Sequence, residues 1–438
     1  MPSIAPPTPA AARRVRLDGW VDPEAAFLAL FPSGDAFWLD SGVGATAGRS
    51  WLGGAAGPPL LAEDGDPGEV LARLDAELAA FRAPSSGDGF ALGWVGWLGY
   101  EAGARLVGAP SAESPLPDAA WLRVDRAVAF DHGERAVTLL VGAEAADGDD
   151  WLRRTADALD ALRDAPPPPP PGPVTPGRQA QLRHDRSRYR ALVELCRAAI
   201  REGDAYQLCL TNQIAVPGAL DPVEAYRRLR RGNPSHHGGF LRIGETSLLS
   251  SSPEVFLAAD PDGHVSTSPI KGTRPRSADP DLDARLAHEL VASDKERAEN
   301  LMIVDLMRND LSRVAESGSV VVDRLFEVQS YANVHQLVST VTGRLKPGLS
   351  PLDAVRACFP AGSMTGAPKR SAMTILDALE DGPRGVYSGA FGYLGRDARL
   401  DLAMTIRSIV VGPDGATIGS GGGITALSDP DAEVEEML

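Results

Sequence analysis

Six consecutive prolines at residues 166–171 set the first limit on the fold of this 438-residue chain. Proline lacks a backbone N–H and fixes φ, so this run can form neither a helix interior nor a central strand. Together with the GPVTPG that follows, it is typical of a stiff, extended connector. We therefore predict an N-terminal region at residues 1–165, a linker at 166–177 and a larger C-terminal region at 178–438.

The composition excludes several classes of function. The net charge of −16 opposes binding to a nucleic-acid backbone. The sequence has no apolar run of about 18 residues and no apolar signal segment at its start. Its three cysteines, Cys196, Cys209 and Cys358, fit neither a disulfide framework nor a metal spacing. We therefore expect a cytoplasmic protein that contacts neither nucleic acid nor membrane.

The region after the prolines mixes strands and helices without regular alternation. A helical stripe of apolar residues, ending near Gly203, is formed by Tyr189, Leu192, Val193, Cys196 and Ile200. The segments AYQLCLTNQIAV, SVVVDRLFEV and RLDLAMTIRSIVV each read as one strand. Further helices are predicted around 281–309, 351–358 and 367–380. This arrangement indicates large antiparallel sheets with helices packed outside.

Two pairs of glutamates have the spacing of a helix face. Glu296 and Glu299 lie in a strongly helical segment, and Glu433 and Glu436 lie near the end of the chain. A spacing of three residues places each pair on one side of its helix. Four carboxylates brought together would suit a hard cation such as Mg²⁺. Such pairs usually mark a solvated helix surface, and from spacing alone that interpretation is the stronger one.

Other segments could hold an anion or carry out chemistry. FPAGSMTGAPK and IGSGGGI offer backbone N–H groups for an anion, with tight turns as the alternative. A lysine near other cations or in a dry pocket can act as a nucleophile, and Lys271 in SPIKGTRPR is followed by Arg274 and Arg276. Glu254 in SSSPEVFL can act as a general acid if it is buried. A surface position is the alternative for both residues.

The order of these segments and the residues within them resemble the chorismate-utilising enzyme family, which includes anthranilate synthases, aminodeoxychorismate synthases and isochorismate synthases. The resemblance runs through residues 178–438 on DAYQLCLTNQ, PIKGTRPR, ENLMIVDLMRNDLSRV, HQLVSTVTG, FPAGSMTGAPKRSAMTILD and GSGGGITALSDPDAE. WLDSG and GWLGYE extend it into the N-terminal region. It implies an α/β (α+β) sandwich of two large, roughly orthogonal antiparallel sheets with helices packed outside. The N-terminal region would be built into the same body.

The resemblance also implies the residues of a site. A Mg²⁺ cofactor would be bound by Glu296, Glu299, Glu433 and Glu436 and would polarise the departing 4-hydroxyl group of chorismate. Lys271 would attack chorismate, and Glu254 would protonate the leaving hydroxyl group. The substrate contacts would be Gln207, Thr273, His335, Gly362, Ser363, Thr365, Gly366, Tyr393, Arg407, Gly421, Gly422 and Gly423.

Two positions bear on which reaction the resemblance implies. Isochorismate and salicylate synthases carry a water-activating lysine where this chain has Gln207, so we do not expect water as the nucleophile. Anthranilate synthases usually read PIAGT where this chain reads PIKGT. Lys271 therefore resembles the branch that makes 4-amino-4-deoxychorismate for 4-aminobenzoate and folate synthesis. An anthranilate synthase component I and a non-catalytic regulatory homologue are the alternatives.

Some features depart from the family pattern or lie outside this chain. Many aminating relatives have histidine where this chain has Gln336, while His335 stands one residue earlier and is as readily a structural histidine. The chain ends soon after Glu436, so we expect the second glutamate pair to be held less firmly. No cysteine elbow of a glutamine amidotransferase is present, so we expect ammonia from a separate glutaminase subunit or from solution. In the N-terminal region we expect at most a structural pocket.

Overall fold

The structure is a computed structural model that describes residues 12–62, 66–84, 89–172, 179–331 and 333–438. The helices are α1 (Pro23–Leu30), α2 (Pro67–Ala80), α3 (Tyr100–Val107), α4 (Gly148–Asp160), α5 (Arg186–Glu202), α6 (Pro222–Gly232), α7 (Pro280–Ala292), α8 (Asp294–Ser312), α9 (Pro351–Cys358), α10 (Gly362–Thr365), α11 (Lys369–Glu380) and α12 (Pro430–Met437). None of these helices is both long enough and apolar enough to cross a membrane.

The strands are β1 (Arg13–Leu17), β2 (Ala36–Asp40), β3 (Arg49–Gly54), β4 (Leu60–Ala62), β5 (Gly93–Leu98), β6 (Ala119–Val124), β7 (Arg126–Asp131), β8 (Ala136–Val141), β9 (Gln181–Leu182), β10 (Gln207–Pro217), β11 (His237–Ile243), β12 (Thr246–Ser252), β13 (Val255–Ala259), β14 (His264–Ser268), β15 (Ile270–Pro275), β16 (Val321–Ser330), β17 (Val334–Arg344), β18 (Gly366–Ala367), β19 (Ala390–Gly395), β20 (Leu400–Met404), β21 (Ser408–Gly412) and β22 (Gly415–Ile424).

These strands form two antiparallel sheets. The first sheet has twelve strands in the order β1-β8-β7-β3-β2-β11-β12-β21-β22-β10-β18, with β9 paired to β10. The second has ten strands in the order β15-β17-β14-β13-β20-β19-β5-β6-β4, with β16 paired to β17. The prediction of two large antiparallel sheets with helices is confirmed.

Strands from before and after the proline run share both sheets. In the first sheet, Trp38 of β2 pairs with Phe240 of β11. In the second, Trp97 of β5 pairs with Phe391 of β19. Residues 166–172 contain neither helix nor strand, and the rest of the predicted linker, 173–177, lies outside the described residues. The prolines therefore separate two stretches of sequence that are joined by strand pairing.

Helix α5 confirms the apolar stripe that was read from the sequence. Asp185 caps its first turn by accepting a hydrogen bond from the backbone of Arg188, and Gly203 ends it with a left-handed φ of 91°. The cluster that it forms with β10, β22 and α12 contains Tyr189, Leu192, Val193, Cys196, Leu208, Leu210, Ile424 and Val434. Helix α5 thereby supports the back of the two strands that carry Gln207 and Gly421–Gly423.

One strand prediction is wrong. The segment RLDLAMTIRSIVV is two strands, β20 in the second sheet and β21 in the first. Between them Arg407 has a φ of 50°, a left-handed conformation that residues other than glycine rarely adopt. This break carries the chain from one sheet to the other. It also lies close to Glu254, whose carbonyl accepts a hydrogen bond from the backbone of Met404 at 2.9 Å.

Candidate active site

Lys271 lies on β15, the edge strand of the second sheet, at an irregularity in its pairing with β17. Its amine faces the first sheet. A β-carbon placed on Gly423 would lie 3.6 Å from Lys271 Nζ and 2.2 Å from Gln207 Nε2. Gly423 pairs with Cys209, which brings β22 and β10 side by side at this point. Glycine at position 423 therefore leaves room for both polar side chains in one space.

Gln207 is buried, and its two amide atoms have no hydrogen-bond partner among the described residues. Leaving a buried polar group without a partner costs roughly 1–3 kcal/mol. Its amide faces the space that also receives the amine of Lys271. The unsatisfied amide therefore indicates that a polar ligand belongs in this space.

Glu254 precedes β13 and is buried, with 6% of its surface exposed. Ser363 Oγ donates a hydrogen bond to Glu254 Oε1 at 3.1 Å. Burial raises the pKa of Glu254 to about 7, against the opposing effects of Lys271, of Ser363, of the backbone of Ile270 and of Arg407. At neutral pH this carboxyl group is therefore partly protonated and can donate a proton.

The turn at residues 362–366 packs between α8 and β10. A β-carbon on Gly362 would lie 2.4 Å from Leu306 Cδ2 of α8. One on Gly366 would lie 2.2 Å from the carbonyl oxygen of Gln207. Thr365 is buried, and its hydroxyl group donates to the carbonyl of Ala361 at 3.3 Å. This close packing holds Ser363 against Glu254.

The two glutamate pairs lie on helices that flank Lys271. On α8, Ser293 Oγ caps the helix by accepting a hydrogen bond from the backbone of Glu296. A β-carbon on Gly272 would lie 2.8 Å from Glu296 Oε2. On α12, the carboxylates face β22, because a β-carbon on Gly422 would lie 3.1 Å from Glu433 Oε2 and 3.7 Å from Glu436 Oε1.

The glutamate carboxylates of α8 and α12 interact electrostatically with one another. Burial raises the pKa of Glu299, Lys271 opposes this, and the negative charges of Glu296 and Glu433 add to it. Burial also raises the pKa of Glu433, and Glu436 adds to that increase. Arg274 lies 3.5 Å from Glu296 and Lys295 lies 3.9 Å from Glu299, so cations partly offset this charge, and Lys271 acts on Glu299 and Glu433.

This set of oxygen donors fits Mg²⁺, which takes one or two carboxylates and completes its shell with water and substrate oxygens. Across the described ranges, no three His, Cys, Asp or Glu side chains converge closely enough to hold an ion by themselves. Glu436 is exposed, whereas Glu433 is buried. Substrate and water oxygens would thus have to supply much of the coordination.

Two of the predicted substrate contacts lie close to this group. Arg407 is exposed and lies near enough to Glu254 to lower the pKa of that carboxyl group. Thr273 is exposed on β15, opposite Gln336 on β17. Gln336 is buried, and its Oε1 has no partner among the described residues.

Tyr393 and His335 are held elsewhere. The ring of Tyr393 lies 5.0 Å from that of Phe90 between centroids, in an apolar cluster, and burial raises its pKa. His335 Nε2 lies 3.0 Å from Asp283 Oδ1, and its Nδ1 lies 2.8 Å from Ser330 Oγ. Both ring nitrogens of His335 are thus occupied, which supports the structural alternative. A substrate contact for either residue stays a prediction.

Sequence reasoning missed Arg384, which is 4% exposed and lies directly behind the site. Its guanidinium group donates to the carbonyl of Met364, beside Ser363, and to that of Cys209, beside the Gln207 amide. The signal in the sequence was the spacing of four residues between Glu380 and Arg384. That spacing normally marks an exposed helical ion pair, so it did not stand out.

Comparisons with known proteins identify the family of the chain. The family model described as chorismate binding enzyme matches residues 36–438. The chain belongs to this family. The match continues through the proline run, so that most of the N-terminal region is part of the family's characteristic sequence.

Curated relatives within the family carry two names. An aminodeoxychorismate synthase from Streptomyces pristinaespiralis is 45% identical over 95% of this chain and 62% of that protein. Another from Streptomyces griseus is 46% identical over 95% of this chain and 61% of that protein. The chain thus spans about three fifths of these two relatives' length. Anthranilate synthase component 1 from Streptomyces coelicolor is 40% identical over 96% of this chain and 85% of that protein.

Two solved structures share the fold. Anthranilate synthase component I from Streptococcus pneumoniae superposes with a TM-score of 0.75, at 27% identity, covering 97% of this chain and 98% of that one. The menaquinone-specific isochorismate synthase from Escherichia coli gives a TM-score of 0.72 at 19% identity, covering 98% of this chain and 92% of that one.

Proposed function

We propose that this chain binds chorismate and replaces its 4-hydroxyl group with an amino group, forming 4-amino-4-deoxychorismate. The observation that carries the proposal is the position of Lys271, whose amine lies beside the Gln207 amide and acts electrostatically on the buried acid Glu254. The similarity to two aminodeoxychorismate synthases supports the same reaction.

In the first step, the amine nitrogen of Lys271 attacks C2 of chorismate with its lone pair, the ring double bonds shift, and the bond between C4 and oxygen breaks. Glu254 donates its proton to the departing hydroxyl group, which leaves as water. Lys271 is then bound to the substrate as a secondary ammonium, and Glu254 is ionised. The buried position of Glu254 suits this role, because burial keeps part of its population protonated near pH 7.

In the second step, ammonia adds at C4, the double bonds shift back, and the bond between C2 and Lys271 breaks. The lysine leaves as a neutral amine, and the new ammonium group at C4 returns its proton to Glu254. The net change is chorismate plus ammonia to 4-amino-4-deoxychorismate plus water. Gln207 has no basic group in its side chain, so it cannot activate water as a competing nucleophile.

The charged groups of the site would orient the two carboxylates of chorismate. Arg407 and the backbone N–H groups of 362–366 and 421–423 are the candidates on the chain. Mg²⁺ held by Glu296, Glu299, Glu433 and Glu436 would supply positive charge to the ring carboxylate and to the departing oxygen. The chain's own carboxylates would otherwise repel the substrate.

Product identification tests the proposed reaction. The purified chain is incubated with chorismate, magnesium chloride and an ammonium salt, and the products are separated by liquid chromatography and mass spectrometry. We expect 4-amino-4-deoxychorismate, which retains its pyruvyl group, and 4-aminobenzoate plus pyruvate only after 4-amino-4-deoxychorismate lyase is added. Absence of any amination product would reject the proposal.

Anthranilate formation is the second candidate, favoured by the relative from Streptomyces coelicolor, of which this chain covers 85%. It predicts fluorescent anthranilate and released pyruvate without any added lyase. The same incubation decides between the two reactions, because the two aminobenzoates differ in retention and fluorescence.

We also propose that ammonia reaches the site from a separate glutaminase. Glutamine should then support amination only when a glutaminase is added, whereas an ammonium salt should support it directly. Amination from glutamine by the chain alone would contradict this.

Glu299→Gln is expected to raise the Mg²⁺ concentration needed for half-maximal activity by roughly tenfold or more. The reason is that the substitution removes one negative charge where the two glutamate pairs approach each other. The matched control is Asp305→Asn on the same helix, whose side chain is 77% exposed and faces Arg308. A magnesium titration in which both variants match the unsubstituted protein would remove Glu299 from the ligand set.

A further inference from the structure

Arg384 ties together the two backbone segments that carry the candidate site. Arg384 Nη1 donates to the carbonyl of Met364 at 2.7 Å, and Arg384 Nη2 donates to the carbonyl of Cys209 at 2.8 Å. Met364 follows Ser363, which is bonded to Glu254. Arg384 therefore holds the backbone of the residue that directly follows Ser363, the donor to Glu254.

Cys209 has the equivalent position on the other side. It pairs with Gly423, whose α-carbon lies where the Gln207 amide and the Lys271 amine approach each other. The buried guanidinium group of Arg384 therefore joins β10, which carries Gln207, to the 362–366 turn, which carries Ser363. The same two segments also meet through the backbone, where Leu208 pairs with Gly366 and Gln207 with Ala367.

Glu380 fixes the orientation of the guanidinium plane. Glu380 Oε2 accepts from Arg384 Nε at 2.8 Å, and Glu380 Oε1 accepts from Nη2 at 2.7 Å. Glu380 Oε1 also accepts from the backbone of Thr211 at 2.8 Å, two residues beyond Cys209. This two-point ion pair leaves the remaining donors of Arg384 aimed at the two carbonyls.

The N-terminal region completes the arrangement. Glu101 accepts from the backbone of Arg384 at 2.7 Å and from that of Gly385 at 3.0 Å. The ring of Tyr100 lies 4.1 Å from the Arg384 guanidinium carbon. We call Arg384, Glu380, Glu101 and Tyr100 the Arg384 cluster.

We infer that Arg384 is a positioning residue for the amination: it adds a side-chain tie to the backbone pairing of β10 with β18 and holds the 362–366 turn so that Ser363 and Gln207 face the substrate correctly. Its kinetic consequences rest on the proposed function. Its structural consequence, the placement of the two segments, does not. Through Glu101 and Tyr100, the inference also gives the N-terminal region a part in shaping the site.

Lysine cannot replace arginine here, although it retains the charge. An ammonium group has no planar fork, so it cannot bind a carboxylate at two points and still reach two carbonyls in fixed directions. In Arg384→Lys the turn should therefore shift relative to β10, and the bond from Ser363 to Glu254 should weaken. That bond lowers the pKa of Glu254, so its loss should move the alkaline limb of the rate profile to higher pH.

The test compares Arg384→Lys with a matched variant, Arg230→Lys. Arg230 is also buried, is bound at two points by Asp40 at 2.7 and 3.2 Å, and lies 4.3 Å from the ring of Trp38. Arg230 lies on α6 and also donates to Glu24 of the N-terminal region, at 2.8 Å. Both variants should lower the unfolding temperature, because each disrupts a buried guanidinium network of the same kind.

Three measurements separate positioning from simple stability. For Arg384→Lys we expect kcat/KM for chorismate to fall roughly 100-fold, because small displacements at a reacting centre are costly. We expect the alkaline limb of its kcat profile to move to higher pH, as we expect for Ser363→Ala. We also expect backbone hydrogen exchange to increase in peptides that cover residues 207–210 and 362–366. For Arg230→Lys, all three should match the unsubstituted protein at temperatures where it is folded.

Each outcome decides one question. If Arg384→Lys behaves like Arg230→Lys in rate, pH limb and exchange, Arg384 is only structural and the inference is wrong. If Arg384→Lys does not fold, Glu101→Gln replaces it, and changes of the same direction and smaller size are expected. If the unsubstituted protein forms no aminated product, the proposed function fails, while the exchange measurements still decide whether Arg384 places the two segments.

Discussion

Lys271→Ala is expected to reduce the formation of 4-amino-4-deoxychorismate by about a thousandfold or more, because removal of a covalent nucleophile leaves only binding and electrostatic effects. The fold should persist, since Lys271 is on an edge strand and is not part of an apolar cluster. The measurement is the initial rate with saturating ammonium and magnesium salts, with the unfolding temperature as the check on folding.

Lys271→Arg is the matched control for charge. It keeps a cation near Glu254 and Glu299 but offers no amine that can attack carbon. If this variant retains most of the activity, Lys271 acts through its charge and the covalent route is wrong. A complementary measurement is intact-protein mass spectrometry after incubation with chorismate and magnesium without ammonia, which should reveal a substrate adduct in the unsubstituted protein and none in Lys271→Ala.

Glu254→Gln is expected to lower kcat by roughly 100- to 10,000-fold, the range typical of a lost general acid. The unsubstituted protein should lose activity as the pH rises through about 7, because burial raises the pKa of Glu254 to that value and only the protonated form can donate. The residual rate of Glu254→Gln should show no such fall. The measurement is a kcat profile between about pH 5 and pH 9.

A second variant identifies the titrating group. Ser363→Ala removes the hydrogen bond that lowers the pKa of Glu254, so its rate should fall at a higher pH than in the unsubstituted protein. A fall near pH 7 that persists unchanged in both variants would assign the limb to another group.

The sequence predicted the elements whose signals are local. The apolar stripe of α5 and the alternation of β10 are short-range patterns, and each packs against the other in the structure. The two sheets followed from the mixture of strands and helices and from the family resemblance. Glu254, Lys271 and Gln207 came from the same motifs, and the structure brings these three side chains to one place.

The features that sequence reasoning missed depend on contacts between distant segments. Arg407 adopts a left-handed conformation without being glycine, so the sequence did not indicate the break between β20 and β21. The sequence could not decide between a substrate contact and a structural role for His335, because its partner Asp283 lies in another element. Arg384 was missed because it donates to backbone carbonyls, which every residue has, so the identities of Met364 and Cys209 do not indicate the contact.

The sharing of both sheets between the two stretches of sequence has a consequence for synthesis on the ribosome. Strand β2 cannot find β11, and strand β5 cannot find β19, until residues beyond 240 and 390 have been made. Until then the first 165 residues carry unpaired strand edges, which are templates for aggregation. The strands of the N-terminal stretch can pair with one another early, but neither sheet can be completed until most of the chain has been made.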